Sequence, residues 1–308
     1  MISFLHAVVQ AGTALLFATL GEMITEKVGN LNLGVEGMML MGAVMGFIVG
    51  YNTGSPIMAL LAAAGAGAFG AMIYAFITVT LKTNQEVTGL TLTIFGAGFA
   101  SFVGHNVVGY KLPATINNFF SKVPIPILKD IPAIGEIFFN QNVFIYLGYL
   151  TVVLLGLLLY RTNYGLNMRM VGENAAAADA SGINIVKYKY FFIMLGGALC
   201  GLGGAYLSLV HVPVWQENIT AGVGWIAVAL VIFSTWNPYR ALFGAYFFGG
   251  LNIIGFRLQK FDLPISIYLL DMLPYISTII VLIIMSIKKS KENKAPKELG
   301  HAYFREER

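Results

Sequence analysis

The chain has 308 residues, of which 57% are hydrophobic and 11% are charged, and its formal net charge is +4. This composition excludes an ordinary soluble globule, because the sequence holds too little charge to cover a water-exposed surface. It does not predict a nucleic-acid partner either, since much of the positive surplus lies in the lysine-rich segment after residue 287.

Three long segments carry no charged residue, namely 37–81, 191–216 and 272–287. A hydrocarbon core of roughly 30 Å takes about 20 helical residues, so each segment can span a bilayer. The runs are continuously apolar rather than alternating, which favours helices over a closed barrel. The predicted fold class is therefore all-α, a polytopic transmembrane helical bundle surrounded by the lipid bilayer.

The apolar runs predict about nine membrane spans, within a range of about eight to ten. Span 31–51 begins with Asn and Glu residues, and spans 223–236 and 241–257 are separated by only a short break. Both places are candidates for a broken or re-entrant helix, which is tolerated where backbone lines a cavity instead of lipid. The predicted spans in chain order are 3–20, 31–51, 57–81, 89–108, 143–160, 190–210, 223–236, 241–257 and 266–287.

The distribution of Lys and Arg predicts the orientation, because these residues favour the cytoplasmic side of a membrane. With Lys27, Lys82 and the lysine-rich tail inside, nine crossings place the N-terminus outside and the C-terminus in the cytoplasm. The transmembrane domain is then 1–287, and 288–308 form a short, solvated cytoplasmic tail. Three tryptophans near predicted span ends are expected at the membrane interface: Trp215, Trp225 and Trp236.

Small residues recur at four-residue spacing in two predicted spans. One stripe consists of Gly42, Gly46 and Gly50, and another begins with Gly197 and Gly201. Such stripes let helix backbones approach closely in lipid, so both predict tight helix packing.

The sequence contains no convincing nucleotide-binding motif. Residues 65–70 read Gly-Ala-Gly-Ala-Phe-Gly and fit the dinucleotide fingerprint by letter, but they lie inside an apolar span rather than after a strand. The sequence contains no Gly-x-x-x-x-Gly-Lys-Ser/Thr motif. If the protein works with ATP, a separate subunit must hydrolyse it. The chain is predicted to be non-catalytic, with no metal and no bound cofactor.

Polar residues at the start of span 31–51 form the first candidate site. Asn and Glu in an apolar span are costly unless they meet water, a ligand or one another. Asn32 and Glu36 are four residues apart and would share one helical face, which predicts a polar stripe toward the bundle interior. The alternative is that Glu36 only caps a helix at the interface.

The second candidate site is the polar segment 82–89, which separates two long apolar runs. It contains Asn84 and Thr88, whose amide and hydroxyl groups suit a broken-helix segment in contact with a substrate. The alternative is a plain cytoplasmic turn.

The third candidate is the stretch 161–182, which ends in an alanine-rich run. Asn174 is a favourable N-cap, the four alanines after it are strong helix formers, and Gly182 suits the position after a helix end. These features predict a short helix at about 172–183, outside the membrane and between two spans. Because such a helix adds little to packing in lipid, it indicates a lever that contacts a partner.

Taken in order, these three segments, with 197–209 and 220–230, resemble the ABC permease family that serves branched-chain amino acids, simple sugars and nucleosides. The most similar branch is that of bacterial nucleoside permeases of the guanosine or purine nucleoside type, through the run Asn-Leu-Gly-Val-Glu-Gly-Met-Met at 32–39. The resemblance covers residues 21–249. It departs at Ala175, where similar sequences usually have proline.

The resemblance implies a bacterial cell-membrane importer that transports nucleosides by alternating access. It implies three partners: a second homologous permease subunit in a heterodimer, an ABC ATPase subunit that uses ATP, and an extracellular lipoprotein or periplasmic binding protein. From polarity we place Asn32, Glu36, Asn84 and Thr88 in the substrate pathway. By family analogy, the coupling helix that docks on the ATPase would comprise Gly172, Glu173, Asn174, Ala177, Ala178 and Gly182.

Three alternatives remain open from the sequence. In the first, the substrate is a simple sugar or a branched-chain amino acid instead of a nucleoside. In the second, the chain is an ATP-independent secondary transporter or channel. In the third, the chain is an intramembrane enzyme that depends on a residue such as His105.

Overall fold

The computed structural model describes residues 2–126, 128–132, 134–258, 272–287 and 295–304. Within these residues the chain is predominantly helical, and six helices are long and apolar enough to cross a membrane. The predicted fold class, a helical membrane bundle, is confirmed.

We number the described α-helices and strands in chain order. Single π-helical turns continue two of the helices, Phe76–Thr80 after α3 and Leu207–His211 after α10. The helices are α1 (Ile2–Lys27), α2 (Val35–Thr53), α3 (Pro56–Ala75), α4 (Gln85–Gly104), α5 (Ala114–Phe119), α6 (Ile134–Phe138), α7 (Val143–Arg161), α8 (Asn163–Glu173), α9 (Ala175–Ala180), α10 (Ile185–Tyr206), α11 (Val223–Phe233), α12 (Pro238–Leu258) and α13 (Leu273–Ile287).

The six long apolar helices correspond to the first six predicted spans, and they include α1, α2, α3, α4, α7 and α10. The predicted span 223–236 is occupied by α11, which has only 11 residues. The predicted span 241–257 lies within α12. Of the predicted span 266–287, residues 266–271 lie outside the described residues and the remainder contains α13.

A small two-stranded sheet interrupts the helical pattern between α4 and α7. Strands β1 (Lys122–Pro124) and β2 (Asn140–Asn142) pair antiparallel, with Val123 opposite Gln141. The prolines of this connection prevent a continuous helix. The imidazole of His6, near the start of α1, hydrogen-bonds to the carbonyl oxygen of Asn140 at 3.2 Å. The connection therefore covers the end of the bundle at which α1 begins.

Glycine-mediated contacts hold α2, α3 and α10 together. A Cβ atom on Gly42 of α2 would overlap the backbone of Gly201 in α10, and one on Gly67 of α3 would overlap the backbone of Gly197. The predicted packing role of the glycine stripes is therefore observed. Gly67 belongs to the segment 65–70, which lies inside α3 and forms no nucleotide-binding loop.

Two of the three tryptophans predicted at the interface are instead buried. Trp215 is fully buried beside Phe47, and Trp236 is 4% exposed. The indole N–H of Trp236 donates to a carboxylate oxygen of Glu26 in α1, at 2.5 Å. Only Trp225 retains substantial exposure among the three, so position near a span end was a poor guide to the other two.

Residues 295–304 fold back against the bundle, and we call them the C-terminal strap. Pro296 is buried, and Leu299 and Tyr303 pack against the hydrophobic core. The prediction of a solvated tail is wrong for this part of 288–308, because its apolar side chains find a surface to cover. The lysines between 288 and 294 lie outside the described residues.

One end of the bundle gathers the end of α1, the start of α4, helices α8 and α9, and the strap. The opposite end carries Lys111, Lys122 and Lys129. Most of the described Lys and Arg residues lie at the first end, which we call the basic end: Lys27, Lys82, Arg161, Arg169, Lys187, Lys189, Arg240 and Lys297.

Replacing Gly42 by Ala should destabilise the bundle, because the added methyl group forces α2 away from Gly201. We expect a loss of about 1–3 kcal/mol, the usual cost of overpacking, measured as a lower thermal unfolding midpoint in mild detergent. The matched control is Gly65→Ala in α3, where no atom lies within 4 Å of the new Cβ. That variant should melt at the same temperature or higher, since Ala favours helix. Equal effects of the two changes would contradict the packing role.

Candidate functional site

A buried, non-helical linker joins α1 to α2. Helix α1 ends at Lys27 and α2 begins at Val35, and Val28, Asn30 and Asn32 between them are fully buried. Asn32 therefore lies before the helix, and the expectation that it shares a helical face with Glu36 is wrong. Gly34 occupies the N-cap position, and α2 begins at Val35, four residues later than the predicted span.

Backbone groups of the linker are satisfied by side chains from α1, from α3 and from the linker itself. The Asn32 backbone N–H donates to Glu22 Oε1 of α1 at 2.9 Å. The hydroxyl of Tyr74, on α3, donates to the Leu31 carbonyl oxygen at 2.6 Å. The Asn32 side chain turns back on its own segment and accepts from the Gly34 N–H at 2.8 Å. Because buried backbone groups need partners, these contacts fix the linker between α1 and α3.

Glu36 is 5% exposed, and its carboxylate binds the start of α11. Oε1 accepts hydrogen bonds from the Thr220 hydroxyl at 2.5 Å and from the Gly222 N–H at 2.8 Å. Oε2 accepts from the Gly224 N–H at 2.6 Å. The first N–H groups of a helix have no partner within the helix, and its N-terminus favours negative charge. Glu36 therefore caps a helix, although that helix is α11 rather than its own.

Helix α11 crosses only part of the bundle. Its 11 residues extend over about 16 Å, roughly half of a hydrocarbon core. It begins at Glu36 in the bundle interior, and just beyond its other end Trp236 binds Glu26 near the basic end. The chain reaches α11 from the opposite end through the non-helical residues 212–222, where Val214 bridges to Lys111. The predicted broken helix at this position is thus observed.

Glu22 and Glu26 belong to the same buried polar region, and the site predictions did not name them. They are four residues apart on α1, and their exposed fractions are 0% and 1%. Within the described residues, Glu22 Oε2 has no hydrogen-bond partner. Two acidic residues near the end of a long apolar run were the available signal, because intramembrane ionisable residues usually have a function.

Asn84 and Thr88 do not join this region. Asn84 is exposed and caps α4, where its Oδ1 accepts from the Val87 N–H at 2.9 Å. The Thr88 hydroxyl donates to the Asn84 carbonyl oxygen at 2.7 Å. Both side chains line a largely apolar cleft of about 440 Å³ between α3 and α4. Within the described residues, their side-chain hydrogen bonds stay within 83–88, which agrees with the alternative of a plain turn.

The alanine-rich segment folds as the short helix α9. The Asn174 side chain accepts from the Ala177 N–H at 2.9 Å and caps the helix start. Gly182 follows the helix end with a φ of +81°, a left-handed conformation that favours glycine. The cap, the helix and the terminating glycine lie where the sequence predicted them. Helix α8, directly before Asn174, was not predicted.

The six predicted coupling residues divide into an exposed and a buried group. A Cβ atom on Gly172 would overlap the Lys27 carbonyl oxygen at the end of α1, and Ala178 is also fully buried. These two residues anchor the segment to the bundle. The exposed residues are Glu173, Asn174, Ala177 and Gly182.

A cavity of about 460 Å³ lies beside α9 at the basic end. Its walls include Thr78 after α3, Asp179 of α9, Lys189 of α10 and Tyr303 of the strap. Helix α9 is therefore supported by the strap and the α8 junction rather than packed on all sides. His105, the candidate for an enzymatic reaction, is exposed in a turn after α4 and outside the buried polar region.

The sequence matches the family described as branched-chain amino acid transport system / permease component over residues 4–287. A putative glucose ABC transporter permease protein of Haloferax volcanii is 41% identical, over 85% of this chain and 79% of its own length. A guanosine ABC transporter permease protein of Bacillus subtilis is 36% identical, over 87% of each chain. A nucleoside ABC transporter permease protein of Lactococcus lactis is 32% identical, over 95% of this chain and 94% of its own.

Two of these organisms each supply a second, more distant relative. The one from H. volcanii, named as a glucose ABC transporter permease protein, is 26% identical over 82% of this chain and 70% of its own length. The one from L. lactis, named as a nucleoside ABC transporter permease protein, is 21% identical over 77% and 68%. No solved structure matches this chain.

Replacing Glu36 by Ala should destabilise the protein, because the Gly222 and Gly224 N–H groups and the Thr220 hydroxyl lose their acceptor. We expect a cost of about 2–4 kcal/mol, since buried unpaired donors and an uncapped helix terminus each contribute. The measurement is the thermal midpoint of the purified chain in mild detergent. The control is Glu86→Ala at an exposed site in α4. Equal midpoints for the two variants would show that Glu36 does not hold α11.

Proposed function

This chain belongs to the family of permease components of branched-chain amino acid transport systems, and we propose that it forms the nucleoside pathway of an ATP-binding-cassette importer. In this proposal it is a multi-pass protein of the bacterial cell membrane and performs no covalent chemistry itself. The observation that carries the proposal is α9, a capped helix with an exposed face at the basic end.

ATP hydrolysis is assigned to a partner subunit, because this sequence has no P-loop motif and we expect it to bind no cofactor. The ATPase would dock on the exposed coupling residues, Glu173, Asn174, Ala177 and Gly182. Gly172 and Ala178 would transmit the movement of the ATPase to the bundle, since both residues are buried against it. A secondary transporter would have no need for an exposed helix of this kind.

The basic end is assigned to the cytoplasm, because Lys and Arg in short loops favour that side. This places α9 and the strap inside the cell, and the segment with β1 and β2 outside. In this assignment the N-terminus is extracellular and the C-terminus is cytoplasmic.

Alternating access would depend on the contact between α2 and α11. A broken helix can tilt about its non-helical segment, here 212–222, without rebuilding a complete span. Movement of α9 would reach this contact through the end of α1 and the linker 28–34. Glu22 and Asn32 are joined by a hydrogen bond at the linker and are fully buried in this structure, and in the proposed cycle they would become accessible as polar groups for a neutral solute, whereas Glu36 has a structural role.

Nucleosides are the proposed substrate class, because two of the relatives described above, 36% and 32% identical, are named as guanosine and nucleoside permeases. A simple sugar is the second candidate, because the relative at 41% identity is named as a putative glucose permease. Carboxylate and amide groups suit the hydroxyls of either class, so the described residues of the polar region do not discriminate between them.

Two further partners complete the proposed importer. A second, homologous permease subunit is expected as the other half of a heterodimer, since two organisms each have two relatives named as permeases for the same class of solute. An extracellular lipoprotein or periplasmic binding protein would deliver the substrate to the outer face.

Replacing Ala177 by Arg should abolish docking of the ATPase while leaving the fold intact, because Ala177 is exposed on α9. We expect at least a tenfold loss of ATPase recovered with the tagged chain, and a similar loss of uptake, the order of effect of a disrupted interface centre. The matched control, Ala114→Arg, makes the same change at an exposed site on the opposite end. Normal ATPase recovery with Ala177→Arg would contradict the assignment of α9.

Uptake by cells that express the chain with its partners should be specific for nucleosides. We expect unlabelled adenosine and uridine to compete with labelled guanosine, and glucose and leucine to leave its uptake unchanged. A deletion strain provides the background. Competition by glucose, with no effect of the nucleosides, would establish the sugar alternative instead.

A further inference from the structure

The C-terminal strap binds α9 and the junction before it. The Glu298 backbone N–H donates to the Gly172 carbonyl oxygen at 2.9 Å, and its side-chain Oε1 accepts from the Ala175 N–H at 3.4 Å. The Tyr303 hydroxyl donates to Asp179 Oδ2 at 3.0 Å. The strap thus contacts the helix on which the ATPase is proposed to dock, at both its start and its end.

The Gln85 side chain hydrogen-bonds to both the strap and the linker between α1 and α2, and Glu298 of the strap also packs beside Gly29 of the linker. Gln85, at the start of α4, is 2% exposed. Its Nε2 donates to the His301 carbonyl oxygen of the strap at 3.2 Å, and its Oε1 accepts from the Leu31 N–H of the linker at 2.7 Å. One amide therefore links the His301 carbonyl oxygen of the strap to the Leu31 N–H of the linker.

The linker in turn leads to α11. Leu31 is five residues before Glu36, whose carboxylate holds the Gly222 and Gly224 N–H groups. The connection from Asp179 on α9 to α11 therefore consists of hydrogen bonds joined by two short pieces of backbone, 301–303 and 31–36. Coupling between distant sites requires such a contiguous physical network, and it also requires evidence that a change at one site alters the other.

We propose that Gln85 and Tyr303 are positioning residues that relay movement of α9, through the strap and the linker, to the broken helix α11. This inference rests on the proposed function, because it assigns a route to the movement that an ATPase would impose on α9. Cation–ring contact between Lys82 and Phe304, with Nζ 4.3 Å from the ring centroid, fixes the far end of the strap beside α4. The strap is then a moving part of the transporter and more than a stabilising cover.

The test uses the complete importer in proteoliposomes, with labelled guanosine as the transported probe. Tyr303→Phe removes the hydroxyl that binds Asp179. Gln85→Met keeps a similar side-chain volume and removes both hydrogen bonds of the side-chain amide, to Leu31 and to His301. Each should lower the guanosine transported per ATP hydrolysed by about threefold or more, the scale of coupling through such a network. Gln85→Glu keeps an acceptor for the Leu31 N–H but loses the donor to His301, so it should show the same loss.

The double variant decides between a relay and independent structural roles. If both residues serve one route, Tyr303→Phe should have little further effect in the Gln85→Met background, because interacting residues are not additive. Lys297→Ala and Glu86→Ala change exposed neighbours on the strap and α4 and should leave the ratio unchanged. Recovery of ATPase and the thermal midpoint report on assembly and folding separately.

An unchanged ratio in Tyr303→Phe and Gln85→Glu would overturn the relay, as would losses that multiply in the double variant. These outcomes leave the proposed function intact if the wild-type importer still couples guanosine uptake to ATP hydrolysis. A wild-type importer that transports guanosine without recoverable ATPase would contradict the proposed function itself.

Discussion

The architecture depends on a carboxylate that satisfies a helix end inside an apolar bundle. The Gly222 and Gly224 N–H groups at the start of α11 donate to Glu36 and would lose these partners without it. Glu36 can reach them only because α2 itself begins inside the bundle, after a non-helical linker. The two interrupted elements therefore meet at one carboxylate, which joins the start of α2 to the start of α11.

Glycine contacts and polar contacts divide the bundle into parts of different stiffness. Helices α2, α3 and α10 meet backbone to backbone, so they leave little room for relative movement. Helix α11 is bound at its start by Glu36 and just beyond its end by Glu26, and its Ala227, Leu230 and Val231 are also fully buried, whereas α9 lies beside a cavity. In the proposed transport cycle, the parts that move are α9 and α11.

Much of the fold followed from apolar length, and the caps of α9 followed from local chemistry. The residue pattern could not show that Asn32 lies before α2. Residues 31–51 read as one apolar helix, and a single glycine at position 34 does not show that the helix begins only after it. The pattern also missed the strap, since Leu299 and Tyr303 are two apolar residues in a charged segment and their partners are more than one hundred residues away. Glu22, Glu26 and Gln85 were visible as polar residues, but their roles depend on which distant helix ends lie beside them.

The strap has a consequence for the order in which the protein is completed. Ribosomes extend a chain from its N-terminus, so Asp179 and Gln85 leave the ribosome well before Tyr303 does. Until translation has passed the strap, α9 lacks the bonds to Glu298 and Tyr303. In a nascent permease, α9 therefore lacks its hydrogen bonds to the strap. These bonds form only after the chain has been synthesised past Tyr303, so assembly with an intact α9 site has to wait for the end of translation.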